Sequence, residues 1–321
     1  MGDFKPEVLE RLKLLEEKYA AMGQDLTSYL DGLLYADYLT YWDYIQTDTL
    51  LSLQKPKTSF PDEKIFIMYH QITELYFKLS LHELEQIANH ENLTAKFFYE
   101  RVRRVVRYFE ALTLSFDIMS EGMEQEQFLK YRMALLPASG FQSAQYRLIE
   151  FSCTDLINLV DKDHKSKFDA NSSPEDMYEF VYWKKGATEL ATGKKTLTLR
   201  QFEEKYATQF IKHASEYRNK NLKVLYNKLS EEEKTKYDIK ELLKKLDLQV
   251  NVLWPLAHYK TAARYLQKNP EDIAATGGTN WQKYLPPRFQ KRIFFPELWT
   301  EQEKEEWGKS WVYENIFSKK L

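Results

Sequence analysis

The sequence has few of the residues that form tight turns and few that form covalent cross-links. Glycine and proline number 10 each among 321 residues, about 6% together, whereas an average protein has roughly 12%. This shortage argues against an all-β domain, whose many turns need both residues. The one cysteine, Cys153, excludes an intrachain disulfide and any zinc or iron–sulfur site built from cysteines. We expect Cys153 to be an unreactive core residue.

Neither sign of charge is in large excess. The chain has 46 basic and 48 acidic residues, so its formal net charge of −2 gives no overall field for nucleic-acid phosphates or anionic lipid. No run of about 18 apolar residues occurs, and no basic-then-apolar leader follows the first methionine. We therefore expect no nucleic-acid partner, no membrane span, no secretory signal and a cytoplasmic location.

Common phosphate-binding and hydrolase motifs are missing as well. The sequence contains no GxGxxG, GxxxxGKS/T, HExxH or GxSxG pattern. None of its six histidines has metal-chelating spacing from another, so a multi-histidine site would need tertiary contacts. These absences leave nucleotide-binding and hydrolase chemistry without a visible signature.

Helical periodicity is present along most of the chain. Apolar residues recur at three- and four-residue steps in several segments, and this spacing predicts amphipathic helices. These segments are residues 8–23, 65–87, 94–119, 142–160 and 242–261. No period of 20 to 50 residues repeats, so a helical solenoid is not supported. The pattern predicts an all-α fold in one compact multi-helix domain.

The domain organisation follows from changes in composition along the chain. We interpret residues 1–36 as an N-terminal helical extension. We interpret residues 37–321 as a single helical domain without an internal linker. Residues 161–245 are charged and poorly patterned, and we interpret them as a helical insertion. Within that stretch the sequences SSPEDM and SEEE are typical of helix N-termini, because a capping hydroxyl precedes acidic residues.

Two loops interrupt the helical pattern, LLPASGF at residues 135–141 and ATGGTN at residues 275–280. His70 and His258 each fall on the apolar stripe of a long predicted helix near one of these loops. The residues alone leave two interpretations open for each histidine. It could be a hydrogen-bonded core side chain, or it could be the single axial ligand of a haem without a CxxCH attachment motif.

Three blocks of the sequence resemble the tryptophan 2,3-dioxygenase family. They are FIMYHQITELYFK at residues 66–78, FLKYRMALLPASGFQSAQYRLIE at residues 128–150, and WPLAHYKTAAR at residues 254–264 with TGG at residues 276–278. The middle block is long and highly specific. TYWDYIQTDTLLSLQ at residues 40–54 and FFPELW at residues 294–299 match more loosely and in the right order. The loop that is usually GTGGSSG in the family reads ATGGTNW here.

The resemblance implies a mostly helical homotetramer that binds haem b. It also implies an oxidoreductase of tryptophan catabolism in the kynurenine pathway, which inserts both atoms of O₂ across the indole C2–C3 bond of L-tryptophan. The product would be N-formylkynurenine. N-terminal segments would be exchanged between subunits.

The resemblance also implies roles for individual residues. His258 resembles the axial ligand of the haem iron, while Phe66 and His70 resemble the distal wall and the histidine that accepts the indole N–H. Arg132 takes the position of the arginine that pairs with the substrate carboxylate. Ser139 and Gly140 would lie beside the haem.

Three further residues complete this set. Thr276 would contact the amino-acid end of the substrate. Tyr41 and Tyr44 resemble tyrosines that reach into the pocket of a neighbouring subunit.

Elementary chemistry agrees with this set of residues. The planar guanidinium of arginine can hold a carboxylate in a fixed orientation, although without the resemblance Arg132 reads as a solvated surface charge. An indole needs an apolar wall and one acceptor for its N–H, and Phe66 and His70 are one helical turn apart. Two other functions stay open: a related haem-dependent hydroxylase of tyrosine or a modified tryptophan, and a non-catalytic haem-sensing or ligand-binding helical protein.

Overall fold

The structure is a computed structural model that describes residues 4–36, 39–135, 138–169, 171–188, 194–266 and 286–309. Within these ranges nearly all regular structure is helical, and no strand occurs. The β-type pairing in the same ranges consists of isolated bridges between Val160 and Val181 and between Thr188 and Lys195. The predicted all-α fold is confirmed.

Contacts divide the chain into two compact units, Met1–Lys55 and Pro56–Leu321. This division falls later in the chain than the boundary predicted after residue 36. The helices of the N-terminal unit are α1 (Pro6–Ala21), α2 (Leu26–Leu34), α3 (Tyr41–Ile45) and α4 (Thr47–Leu51).

Side-chain caps explain where two helices of the N-terminal unit begin. The carboxylate of Asp25 accepts hydrogen bonds from the backbone N–H groups of Thr27 and Ser28, and Thr40 caps α3 through the N–H of Asp43. The helix predicted to end near Gly23 is present as α1, since Gly23 adopts the positive φ of 67° that stops a helix.

The remaining helices of the described residues belong to the second unit. They are α5 (Asp62–Ala88), α6 (Ala95–Ser115), α7 (Asp117–Ser120), α8 (Gln125–Tyr131), α9 (Ala144–Cys153), α10 (Pro174–Tyr178), α11 (Tyr182–Gly186), α12 (Leu197–Tyr217), α13 (Leu222–Lys228), α14 (Glu231–Lys236), α15 (Ile239–Leu248), α16 (Trp254–Leu266), α17 (Pro287–Gln290) and α18 (Glu301–Glu305). Short 3₁₀ turns join several of them, and a π-helical turn joins α15 to α16.

The core of this unit lies between α5, α6 and α9. Phe77 and Leu84 of α5 are buried against the apolar face of α6, which contributes Phe98, Val105 and Phe109. Burying one such side chain stabilises the fold by about 1.5–3 kcal/mol. The predicted helices at residues 65–87 and 94–119 are therefore present, and their apolar stripes form the core.

Two predicted helices are shorter or less regular than their patterns suggest. The helix predicted over residues 142–160 ends at Cys153, because Thr154 turns to an extended conformation and its hydroxyl donates to the carbonyl oxygen of Phe294. The helix predicted over residues 242–261 is interrupted at Gln249–Leu253 by the π-helical turn. Periodicity does not show either break because the apolar residues continue through it.

Residues 161–245 contribute directly to the core. Trp183, Phe202 and Phe210 of this segment are buried together with Phe151 of α9. Ser173 and Ser230 cap α10 and α14 through the N–H groups of Asp176 and Glu233, as their sequences predict. The segment is helical as expected, and it packs into the main core.

Cys153 is a buried free thiol at the end of α9. Burial raises the pKa of this thiol well above its ordinary value, so the sulfur stays protonated. No helix in the described ranges is both long and apolar enough to cross a membrane.

Candidate active site

Two histidines on different helices of the second unit lie near each other. His70 lies on α5 and His258 on α16. Burial, together with a smaller contribution from the nearby charge of His70, lowers the pKa of the His258 imidazole to about 4. The two rings are therefore close enough for their charges to interact, and His258 is neutral at pH 7.

The tautomer of His70 is determined by its own helix. Its Nδ1 lies 2.7 Å from the carbonyl oxygen of Phe66, and because a carbonyl can only accept, Nδ1 carries the hydrogen. Burial lowers the pKa of the ring, yet the side chain is accessible to water, a combination typical of a residue that lines an internal cleft. His70 thus presents Nε2 as a water-accessible acceptor, and we call the space in front of it the cleft.

Aromatic rings form the wall around His70. The ring centroids of Phe66 and His70 are 4.1 Å apart, and Tyr131 meets Phe66 edge-on at 5.9 Å. Phe128 lies 6.3 Å from Phe66 and 4.9 Å from Tyr265, which extends the wall towards α16. The cleft therefore combines one nitrogen acceptor with flat apolar surfaces.

The surroundings of His258 leave its imidazole available as a ligand. Phe116 stacks against the ring at 5.7 Å with an interplanar angle of 27°. A Cβ built on Gly140 would lie 3.5 Å from Cε1 of His258, so the backbone of that loop lies close to the ring edge with no room to spare for a large side chain. In the described part of the chain, neither ring nitrogen has a hydrogen-bond partner. A neutral imidazole of this kind can bind a metal ion.

Hydrogen bonds hold the loop that carries Ser139 and Gly140 in place. The backbone N–H of Ser139 donates to Oε1 of Gln142 at 3.0 Å, which closes a short 3₁₀ turn over Gly140–Gln142. The amide of Gln142 in turn donates to the carbonyl of Thr198 at 3.1 Å on α12. The hydroxyl of Ser143 then caps α9 through the N–H of Tyr146. Ser139 and Gly140 are thereby brought beside His258.

Arg132 is a buried cation next to the aromatic wall. It follows Tyr131 directly, in the 3₁₀ turn Arg132–Leu135 that continues α8, and only 5% of its surface is exposed. Burial lowers the pKa of its guanidinium. The interpretation of Arg132 as a solvated surface charge is wrong. Its guanidinium can bind an anionic group near the cleft.

The segments that carry this geometry are similar to those of known proteins. The model of the family described as Tryptophan 2,3-dioxygenase matches residues 34–269. The chain belongs to the tryptophan 2,3-dioxygenase family. The matched range includes α5, the Ser139–Gly140 loop and His258, which carry the geometry described above.

Individual relatives bear the name tryptophan 2,3-dioxygenase. The protein from Ruegeria sp. (strain TM1040) is 43% identical over 119 residues, an alignment that covers 36% of this chain and 42% of that protein. The protein from Polaromonas sp. (strain JS666 / ATCC BAA-500) is 30% identical over 81% of this chain and 86% of its own length. The protein from Bacillus thuringiensis subsp. konkukian (strain 97-27) is 30% identical over 83% of this chain and 92% of its own length. These matches confirm the family to which the three sequence blocks point.

Three residues predicted from the dioxygenase family belong to other parts of the chain than the helices and the loop described above. Tyr41 and Tyr44 lie on α3 in the N-terminal unit, where 72% and 75% of their surfaces are exposed. Thr276 lies outside the described residues. The roles that the family resemblance implies for these three stay predictions.

Sequence reasoning missed several side chains that support the dioxygenase cleft. Phe116, predicted only as an interior residue of a helix, stacks on His258. Tyr146 and Arg292 hydrogen-bond to the carbonyl of Val250 in the π-helical turn before α16. The QYR sequence of the middle block contains Tyr146, but no local pattern marks Arg292 because its partners are far away in the chain.

Proposed function

We propose that this protein is a haem-dependent dioxygenase that converts L-tryptophan and O₂ to N-formylkynurenine. The observation that carries the proposal is that two neutral imidazoles lie near each other: His258, whose ring nitrogens have no hydrogen-bond partner among the described residues, and His70, whose Nε2 is an acceptor. Membership of the tryptophan 2,3-dioxygenase family supports the same reaction.

The residues around His258 fit haem b. Within the described residues there is no group of three or more histidine, cysteine or acidic side chains suited to hold a metal ion. A single histidine is sufficient for haem because the porphyrin supplies the other nitrogen ligands of the iron. His258 would bind the iron, and the loop of Ser139 and Gly140 would lie beside the macrocycle. When bound, haem b supplies the activation of O₂.

The other residues of the cleft bind and orient the substrate. Nε2 of His70 would accept the indole N–H, and Phe66 would form the wall for the indole ring. Arg132 would pair with the substrate carboxylate, a charge-assisted contact that is stronger in a buried site than in water. Thr276 would bind the amino-acid end. These contacts orient the C2–C3 bond and exclude water from it.

We also propose that the protein is a homotetramer in which N-terminal segments complete neighbouring active sites. Tyr41, Trp42 and Tyr44 form an exposed aromatic surface on the N-terminal unit, as an interface segment would. In the second unit, α5 exposes a stripe at helical spacing, formed by Met68, Ile72, Leu75 and Leu79. Both surfaces suit burial against another copy of the chain. A cytoplasmic location is part of the same proposal.

The direct test uses the purified full-length protein loaded with haem, reduced, and mixed with L-tryptophan and air. We expect N-formylkynurenine, detected by its absorbance and mass, with no product when L-tryptophan or O₂ is omitted. A hydroxylated amino acid would instead support the related hydroxylase. A spectral change on tryptophan binding without turnover would identify a sensor, and either result would overturn the proposed dioxygenase.

A further inference from the structure

The helix that carries His258 begins at a gap in the backbone hydrogen bonding. In the π-helical turn, the N–H of Trp254 donates to the carbonyl of Gln249, five residues earlier. The next bond in this series would join Pro255 to the carbonyl of Val250. Proline has no N–H, so this carbonyl loses its backbone donor, although Val250 is fully buried. An unpaired buried carbonyl is costly, so a side chain is needed as donor.

Two side chains from distant parts of the chain replace the missing donor. The hydroxyl of Tyr146 donates to the Val250 carbonyl at 2.9 Å, and Nη2 of Arg292 donates to it at 3.3 Å. Arg292 Nη2 also donates to the Tyr146 hydroxyl at 2.7 Å, so the two donors support each other. Nε of Arg292 donates to Oδ1 of Asn251 in the same turn.

A buried ion pair holds Arg292 in this position. Its Nη1 lies 2.7 Å from Oε1 of Glu150, which is fully buried on α9 and also pairs with Arg147 at 2.8 Å. Tyr146 lies on the same helix, and α9 follows the loop in which Gly140 lies close to His258. The network therefore connects the π-helical turn that precedes α16 to the loop beside the His258 ring.

We infer that Tyr146 and Arg292 are positioning residues for His258. His258 follows Pro255 by three residues, less than one helical turn, so the geometry of the Val250 turn sets the direction in which its imidazole points. With both donors in place, α16 keeps one register and the imidazole lies near Gly140 and His70. This inference rests on the proposed role of His258 as the haem ligand.

The test compares Tyr146→Phe with the matched variant Tyr182→Phe. The hydroxyl of Tyr182 belongs to the same network, since it donates to Glu150 at 2.6 Å, accepts from Arg147 at 2.6 Å and also accepts from Arg292. It does not contact the carbonyl of Val250. Both variants lose one buried hydroxyl without a change in ring shape, so both are expected to lower the Tm.

Two measurements separate positioning from general stability. The first is the rate at which the holoprotein loses haem to an excess of a haem-free globin, where Tyr146→Phe should be roughly 2- to 12-fold faster than wild type, and Tyr182→Phe within twofold of it. The second is hydrogen–deuterium exchange of residues 249–258 in the full chain purified without haem. Tyr146→Phe should exchange faster there, and Tyr182→Phe should not.

Equal effects of the two variants in both measurements would overturn the positioning role. If the wild-type chain binds no haem, the proposed function fails, and exchange in residues 249–258 alone decides the inference. Faster exchange that is confined to Tyr146→Phe would still support it in that case. Unchanged exchange in both variants would overturn it.

Discussion

Nδ1 of His70 lies 2.7 Å from the carbonyl oxygen of Phe66, one helical turn earlier on α5. The same residue that forms the aromatic wall thereby determines which nitrogen of His70 carries the hydrogen. Nε2 is left as an acceptor in the cleft, near His258.

His70 should help catalysis without being indispensable. His70→Ala removes one hydrogen bond to the indole N–H, a contribution of about 0.5–1.5 kcal/mol, so kcat/KM should fall roughly 2- to 12-fold. The exposed His82 on the same helix is the matched control, and His82→Ala should leave kcat/KM unchanged. Complete inactivation of His70→Ala with haem and fold intact would instead identify His70 as an obligatory acid or base.

The acceptor role of His70 also predicts a pH dependence. Burial lowers the pKa of His70 below its ordinary value of 6.5, so the ring is neutral at and above that pH and gains a proton only in more acidic solution. Protonation removes the acceptor. We therefore expect kcat/KM to be constant above pH 6.5 and to fall on the acid side, and this acid limb should be absent in His70→Ala. An unchanged acid limb in that variant would assign the titration to another group.

His258 should be required for haem binding. Substitution by alanine removes the proposed iron ligand. Among the described residues, His70 is the one other histidine assigned to the cleft. His258→Ala should lose most of its haem and all turnover, measured as haem per chain and product formed. His90→Ala, at an exposed position, should retain both. Full haem retention in His258→Ala with an unchanged ferrous spectrum would contradict the assignment.

Arg132 should act on the substrate carboxylate. Loss of a charge-assisted paired contact costs about 1.5–3 kcal/mol, so Arg132→Lys should lower kcat/KM for L-tryptophan roughly 10- to 150-fold. Binding of tryptamine, which lacks the carboxylate, should change little in the same variant. Arg104→Lys, at a half-exposed arginine paired with Glu83, is the control. Equal losses for tryptophan and tryptamine would exclude a carboxylate contact.

Tyr41 and Tyr44 should link assembly to substrate affinity. The double variant Tyr41→Ala/Tyr44→Ala should weaken assembly and raise KM for tryptophan together, while haem content stays near wild type. Sedimentation and steady-state kinetics measure the two effects. Tyr35→Ala removes a ring that is 77% exposed in the same unit but has no predicted role in the pocket, and it should not raise KM. A monomer with full activity would contradict completion of the site by a neighbour.

The parts of the fold that depend on local spacing could be predicted from the sequence. The stripe of α5, the caps at Ser173 and Ser230, and the helical positions of His70 and His258 all follow from residues within one or two turns. The family resemblance added the chemical roles. The presence of these helices and their approximate positions are encoded by neighbouring residues, and the structure agrees with both predictions.

Features that depend on distant partners could not be predicted in this way. The π-helical turn leaves the apolar period intact, and its compensation comes from Arg292, which is 42 residues from Val250 in the chain. Burial of Arg132 likewise depends on how α8 packs, and its charge alone indicates a surface position. Each of these features is a tertiary contact that residue type alone does not encode.

The buried Cys153 affects how the protein can be handled in an oxidising reaction. The thiol stays protonated, so peroxide and alkylating reagents find no thiolate at the surface, and oxidation to sulfenic acid is disfavoured. The protein should therefore tolerate repeated cycles with O₂ without added thiol reductants. A cysteine introduced at an exposed position such as Leu114 would be the only reactive thiol in the chain. One dye or spin label could then be attached there, and the native Cys153 would not need to be removed first.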